Sequence, residues 1–246
     1  AAWVLRFFLR NLGILRLRRR YMRLQPDVLF PALALGLAPF IMFATESLLV
    51  LTYNSSMLKY GGDLSVGMMT ILTTLMQFLM LPAQGLAQGA QPIISYNYGA
   101  ENAERVRQTF RWLILSAFCV TLMIFCLFMI YPKPIISIFT SDQSLINRTI
   151  WGIRIYFAAG ILIGIQMASL QTLMALGKAG TSTFLSLLRK VFLLIPLIYL
   201  LPLFMANKVL AVIISEPIAD VISVLTTIVI FTIQFRKTLR KMGKRH

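Results

Sequence analysis

The chain has 246 residues, 58% of them hydrophobic and 13% charged, with a formal net charge of +16 and a mean hydropathy of +0.79. An ordinary water-soluble domain carries about 25% charged residues, so this composition excludes one and points to an integral membrane protein. Nucleic acid is the usual partner of a basic soluble protein. In so apolar a chain the excess cations are better explained by the Lys and Arg that cytoplasmic loops collect, and no nucleic-acid partner is expected.

The sequence opens on alanine, and "AAWVLRFFL" reads as the stub of an earlier span, so more protein is expected upstream. Arg6 and Arg10 argue against a signal peptide. The following "RNLGILRLRRRYMRLQPD" is basic and amphipathic. It reads as a linker helix lying on lipid headgroups, with recognition of anionic lipid as the alternative. Residues 1–27 are thus expected to hold the end of a preceding span and a basic cytoplasmic linker.

Six spans are expected between residues 28 and 235, each long enough to cross the hydrocarbon core with about 20 residues. The first is Leu29–Ser56, interrupted by Glu46. The second is Ser65–Ser95, inside a run uncharged from Leu64 to Ala100, and kinks are expected near Pro82 and Pro92. The third is Trp112–Tyr131. The helix leading into it should start at Asn102 as N-cap, with Glu104 in its first turn. The fourth is Ile153–Leu176, and the fifth is Thr181–Phe204 with Arg189 and Lys190 near its start. The sixth, Val209–Phe235, carries Glu216 and Asp220. Residues 236–246 are a basic cytoplasmic tail. With alternating loops, 19 of the 24 Lys and Arg fall on inside segments and 5 outside, which predicts that both termini are cytoplasmic.

Cys119 and Cys126 would lie about 10 Å apart along a helix, too far for a disulfide. They read as small core or lipid-facing residues. The one histidine, His246, is the last residue. The sequence offers no His/Cys/Asp metal cluster and no "GxxxxGK[ST]" phosphate loop. Neither a metal nor a cofactor nor enzymatic chemistry is expected.

Ionisable groups within spans are costly and are functional candidates by default. Glu46 is flanked by 18 uncharged residues before it and 12 after it. Tyr53, seven residues on, shares its helical face, and Asn54 stands beside Tyr53. Glu46 is a candidate acceptor of a proton or cation; the plainer reading is a structural glutamate bonded to a neighbouring helix. Glu216, Asp220, Ser223 and Thr227 follow i, i+4, i+7, i+11 spacing, a polar stripe on the sixth span. There the plainer reading pairs Glu216, close to the outer surface, with a cation such as Lys208, and has Asp220 cap a kink at Pro217. Gln77, Gln84, Gln88 and Gln91 lie on one face of the second span. Lipid offers an amide no partner, so this face suits a cavity, with Gln77 and Gln84 the best candidates to line it. Gln88 is nearer the cytoplasmic end. Interhelical amide bonds with close packing at Gly85 and Gly89 are the alternative. Tyr156 and Gln166 are weaker candidates for the same cavity.

The string "GGDLSVGMMTILTTLMQFLMLPAQGLAQGAQPIISYNYGAENAERVRQTF" resembles the multidrug and toxic compound extrusion (MATE) family of antiporters. So do "FIMFATESLLV", "QTLMALGKAGTSTFLSLLRKVFLLIPL" and "EPIADVIS", and "QGAQPIISYNYGA" is similar to the bacterial members in particular. The resemblance implies an all-α polytopic protein, with this chain as the C-terminal six-helix lobe of a twelve-helix transporter. It implies a drug or xenobiotic efflux antiporter coupled to H+ or Na+ in the bacterial plasma membrane. Its implied partners are the N-terminal lobe, membrane lipids and cationic amphipathic small molecules. A glutamate in the matching span of the family is implicated in substrate or coupling-ion binding, which strengthens the case for Glu46. The alternative is a lipid-linked oligosaccharide flippase of the same superfamily. Its cavity cations would hold pyrophosphate, and only Arg154, Arg189 and Lys190 are available for that.

Overall fold

The computed structural model describes residues 26–242. The expected stub and basic linker up to residue 25, and the tail residues 243–246, lie outside the described residues. Every regular element described is helical: α1 (Pro26–Gly99), α2 (Ala103–Ile130), α3 (Pro132–Ser137), α4 (Gln143–Tyr156), a 3₁₀ turn (Gly160–Leu162), α5 (Ile163–Ala175), α6 (Ala179–Leu187), a π-helical segment (Leu188–Leu194), α7 (Ile195–Phe204) and α8 (Lys208–Met242). The chain divides into two compact units, 1–43 and 44–246. In the first, the described residues 26–43 are helical.

Three helix starts, those of α2, α4 and α8, carry short polar side chains that satisfy free backbone N–H groups. Asn102 accepts from Arg105 N at 3.0 Å, with Glu104 in the first turn as expected. Asp142 caps α4 by accepting from Ser144 N at 2.8 Å, and the N–H and hydroxyl of Ser144 hold its carboxyl below the usual carboxylate range. Asn207 accepts from Leu210 N at the start of α8.

By length and apolar composition, four described stretches are able to cross a membrane: 44–99, 103–130, 179–204 and 208–242. The bent pair formed by α4 and the 160–175 stretch, with 53° between them, makes a fifth. The expected first and second spans share α1, which is broken at Gly62. There φ is +66° and ψ −170°, a conformation that only glycine adopts without strain. Pro82 and Pro92, where kinks were expected, keep helical φ/ψ. The fourth span also departs from expectation. Its helical stretch begins at Gln143 rather than Ile153 and bends near Gly160.

The core lies in two apolar clusters. One joins Tyr53, Leu72, Leu75 and Leu79 of α1 to Ile146 and Ile153 of α4 and Val212 and Ile213 of α8. The other joins Ala87 and Ile94 to Val106 and Leu113 of α2, Leu173 of α5, and Phe231 and Phe235 of α8. Large side chains such as Ile138, Leu203, Phe204 and Leu225 remain exposed, as expected of surface that meets lipid. A close backbone contact between helices is at Gly164, where a Cβ would meet Ala117 O and Thr121 Oγ1 at 2.6 Å. At Gly85 and Gly89, whose close packing was the alternative to a cavity, an added Cβ would meet nothing within 4 Å. Because backbone cannot yield as a flexible side chain can, Gly164→Ala should cost about 1–3 kcal/mol. Gly85→Ala should leave the thermal midpoint of the detergent-solubilised protein unchanged, and equal midpoints for the two variants would contradict this packing.

Candidate functional site: a buried charge cluster

The polar stripe of α8 points inward. Glu216, Asp220, Ser223 and Thr227 are all buried, with Asp220 only 1% exposed. A helix that buries two carboxylates must bring counter-charge to them, and the π-helical segment supplies it. A π turn widens the helix and redirects side chains, and such turns concentrate at functional positions. Arg189, on this turn, is itself buried. Its Nη2 donates to Glu216 Oε1 at 2.7 Å and its Nε donates to Asp220 Oδ1 at 2.5 Å. Tyr53 of α1 donates its hydroxyl to Glu216 Oε2 at 2.5 Å. Three segments distant in sequence thus converge on the Glu216 carboxylate. Two expectations for this stripe are not met. Glu216 is buried and pairs with Arg189, while Lys208 lies 5.4 Å from the Tyr60 ring centroid. Asp220 accepts from Arg189 instead of capping a kink at Pro217.

The next residue, Lys190, pairs with Glu46. This pair is far more open than its neighbour: the Glu46 side chain is 52% exposed and that of Lys190 23%. Two adjacent cations on one turn therefore hold three carboxylates, one pair reachable from outside the lobe and one network sealed within it. With all five groups ionised the set carries one excess negative charge. One turn further along α8, Gln166 Nε2 of α5 donates to Ser223 Oγ at 2.6 Å. Among the described residues, Asp220 Oδ2, Gln166 Oε1 and Thr227 Oγ1 are buried acceptors without a hydrogen-bond partner.

The other predicted site residues are placed less centrally. Asn54 is half-buried beside Tyr53. Tyr156 is buried in the same apolar cluster as Tyr53. Gln77 and Gln88 are exposed, while Gln84 and Gln91 are half-buried. The buried face of this stretch consists of Leu72, Leu75, Met76, Leu79, Ala83, Ala87 and Ile94. At 100° per residue the glutamine stripe lies well away from that face, so it looks out of this lobe's own core.

A sequence model of the MatE family matches residues 39–200. The chain belongs to the MATE family. It is 23% identical over 197 residues to the multidrug export protein MepA of Staphylococcus saprophyticus, covering 79% of this chain and 43% of that protein. It is 22% identical over 195 residues to MepA of Staphylococcus aureus, with the same coverage. Among solved structures, an inward-facing multidrug resistance MATE transporter superposes with a TM-score of 0.87 at 18% identity, covering 97% of this chain and 55% of the other. A MATE in complex with MaL6 gives a TM-score of 0.80 at 17% identity, with coverage of 95% and 52%. The fold is therefore that of one half of a MATE transporter, and the chain spans about half the length of the relatives it matches.

Within this MATE lobe, sequence reasoning singled out Glu46, Tyr53, Glu216 and Asp220; it put Arg189 and Lys190 near the start of the fifth span but counted them with the inside cations and gave them no acidic partner. Both stand in a helical run from Ala179 to Phe204. Removing them from the inside count leaves seventeen inside cations against five, so the asymmetry survives. A signal for Arg189 was present: ten uncharged residues precede it and, after Lys190, seventeen more follow. A cation in such surroundings needs an acidic partner on another span.

Proposed function

We propose that this chain is the C-terminal lobe of a secondary active exporter that exchanges cationic amphipathic molecules for H+ or Na+. The observation that carries the reading is the Glu46–Lys190 pair, open to the outside and one residue from the sealed Arg189 network. Glu46 is a carboxylate that a substrate cation can reach. Lys190 is the cation it must displace, and competition between ligands for one group couples their binding. The exchanging proton or sodium ion takes the place that the substrate vacates. Transport requires the second lobe, because alternating access is the movement of one bundle against another around a shared site. In this reading the outward-looking glutamines Gln77, Gln84 and Gln88 help line the space between the lobes, where neutral amides hold varied substrates without fixing charge. The lobe crosses six times with both termini cytoplasmic, in the plasma membrane of a bacterium. No covalent chemistry is involved.

The flippase alternative needs free cations for pyrophosphate. Arg189 is engaged by two carboxylates and Lys190 by a third, which leaves only the exposed Arg154 and favours the exporter.

Lys190→Gln tests the competition directly. Without the resident ammonium, Glu46 should bind a cationic dye about fivefold more tightly, read by fluorescence polarisation of the purified transporter. Unchanged or weaker binding would mean that Lys190 does not compete with substrate. Topology is tested separately. Single cysteines at Lys59 and Lys178, in a background lacking Cys119 and Cys126, should label from opposite sides of the membrane; labelling from one side would refute six crossings.

A further inference from the structure

The start of α2 and the end of α8 enclose a groove that the transport reading leaves unused. Arg107, Phe110, Arg111, Ile114, Leu115 and Phe235 are among its lining residues, and its volume is about 830 Å³. The rings beneath it form one aromatic group: Phe110 lies 4.6 Å from Phe231 and 5.0 Å from Phe235, and those two stack at 5.0 Å. The groove is polar at one end and apolar at the other. Arg107 and Arg111 are one turn apart on the same helical face, and Leu115 occupies the next turn. After Arg111, α2 carries no charge as far as Ile130. Trp112, at this boundary, also lines the groove and is 63% exposed, the place tryptophan takes at a membrane interface. Among the described residues neither arginine has an ion-pair partner. Glu104, at the same end of the groove, offsets one of the two charges and leaves one in excess.

We propose that this groove binds an anionic glycerophospholipid, with the headgroup phosphate on Arg107 and Arg111 and one acyl chain along Ile114, Leu115 and Phe235. The occupant follows from the two ends taken together. Paired guanidiniums match a phosphate and bind it through several N–H groups at once. A free phosphate would leave the aromatic and aliphatic end uncovered, whereas an acyl chain covers it. A zwitterionic lipid would bring its own cation against two guanidiniums, and an anionic one would not.

The test places Trp112 as the only tryptophan of the transporter, in neutral detergent, and titrates in phosphatidylglycerol with brominated acyl chains, which quench indole on contact. Quenching should saturate with phosphatidylglycerol at about fivefold lower concentration than with brominated phosphatidylcholine. Arg107→Gln/Arg111→Gln should abolish that preference. Arg105→Gln, on the same helix but outside this groove, should retain it and serves as the control for net charge. Inorganic phosphate should not reverse the quenching. Three results would overturn the proposal: equal quenching by the two lipids, an Arg105→Gln effect as large as that of the double variant, or full displacement of the lipid by inorganic phosphate, which would make the groove a simple anion site. All three arginines are exposed, so the variants should fold normally.

Discussion

Arg189→Met should destabilise the protein by about 3–5 kcal/mol, the cost of leaving buried charge without its partner. In the native lobe one guanidinium satisfies Glu216 and Asp220 together, and Tyr53 completes the coordination of Glu216. Methionine fills similar space but removes every donor that Arg189 provides. Two carboxylates would then face each other across an apolar interior with only the Tyr53 hydroxyl to bind. The same reasoning predicts a rescue. Replacing the whole set by apolar residues of similar size, Arg189→Met with Glu216→Met and Asp220→Leu, removes the uncompensated charge along with the cation, and exchanging a buried ion set for well-packed apolar groups is often close to neutral for stability. The measurement is the thermal unfolding midpoint and the yield of folded, detergent-purified transporter. A single variant as stable as the native protein, or a triple variant no better than the single, would mean that the network contributes little to holding α1, the π-segment and α8 together.

How much of this was legible in the sequence depended on whether a local signal existed. The apolar runs and the i, i+4, i+7, i+11 spacing of Glu216, Asp220, Ser223 and Thr227 are local, and the stripe does turn inward. Asn102 as a cap is local too, and it caps. The pairing of Arg189 was missed because its partners lie 27 and 31 residues away on another helix. The π turn that aims it has no known signature in residue order. Gly62 was given too little weight. A proline in a long apolar helix keeps its own φ within the helical range, as Pro82 and Pro92 do, whereas a positive φ demands glycine. The glutamine stripe was readable as a face, but its surroundings depend on residues beyond this lobe.

Exchange at Glu46 is the step on which transport depends in the proposed function. Glu46→Gln preserves the shape and hydrogen-bonding reach of the side chain but removes the charge that a substrate cation seeks and the group that a proton or sodium ion would replace. The pair with Lys190 is half-open, and exposed ion pairs are worth about 1 kcal/mol or less, so the variant should fold and reach the membrane at near-native levels. Transport should suffer much more than stability, because exchange of two cations at one carboxylate cannot run on an amide. The decisive measurement is gradient-driven movement of a cationic dye in vesicles carrying the complete transporter, with the H+ and Na+ gradients imposed in turn. The native protein should move the dye with at least one gradient and stop when it is collapsed, and Glu46→Gln should move it about tenfold more slowly or not at all. Near-native, gradient-dependent dye movement with glutamine at position 46 would contradict the account and reduce Glu46 to a structural partner of Lys190.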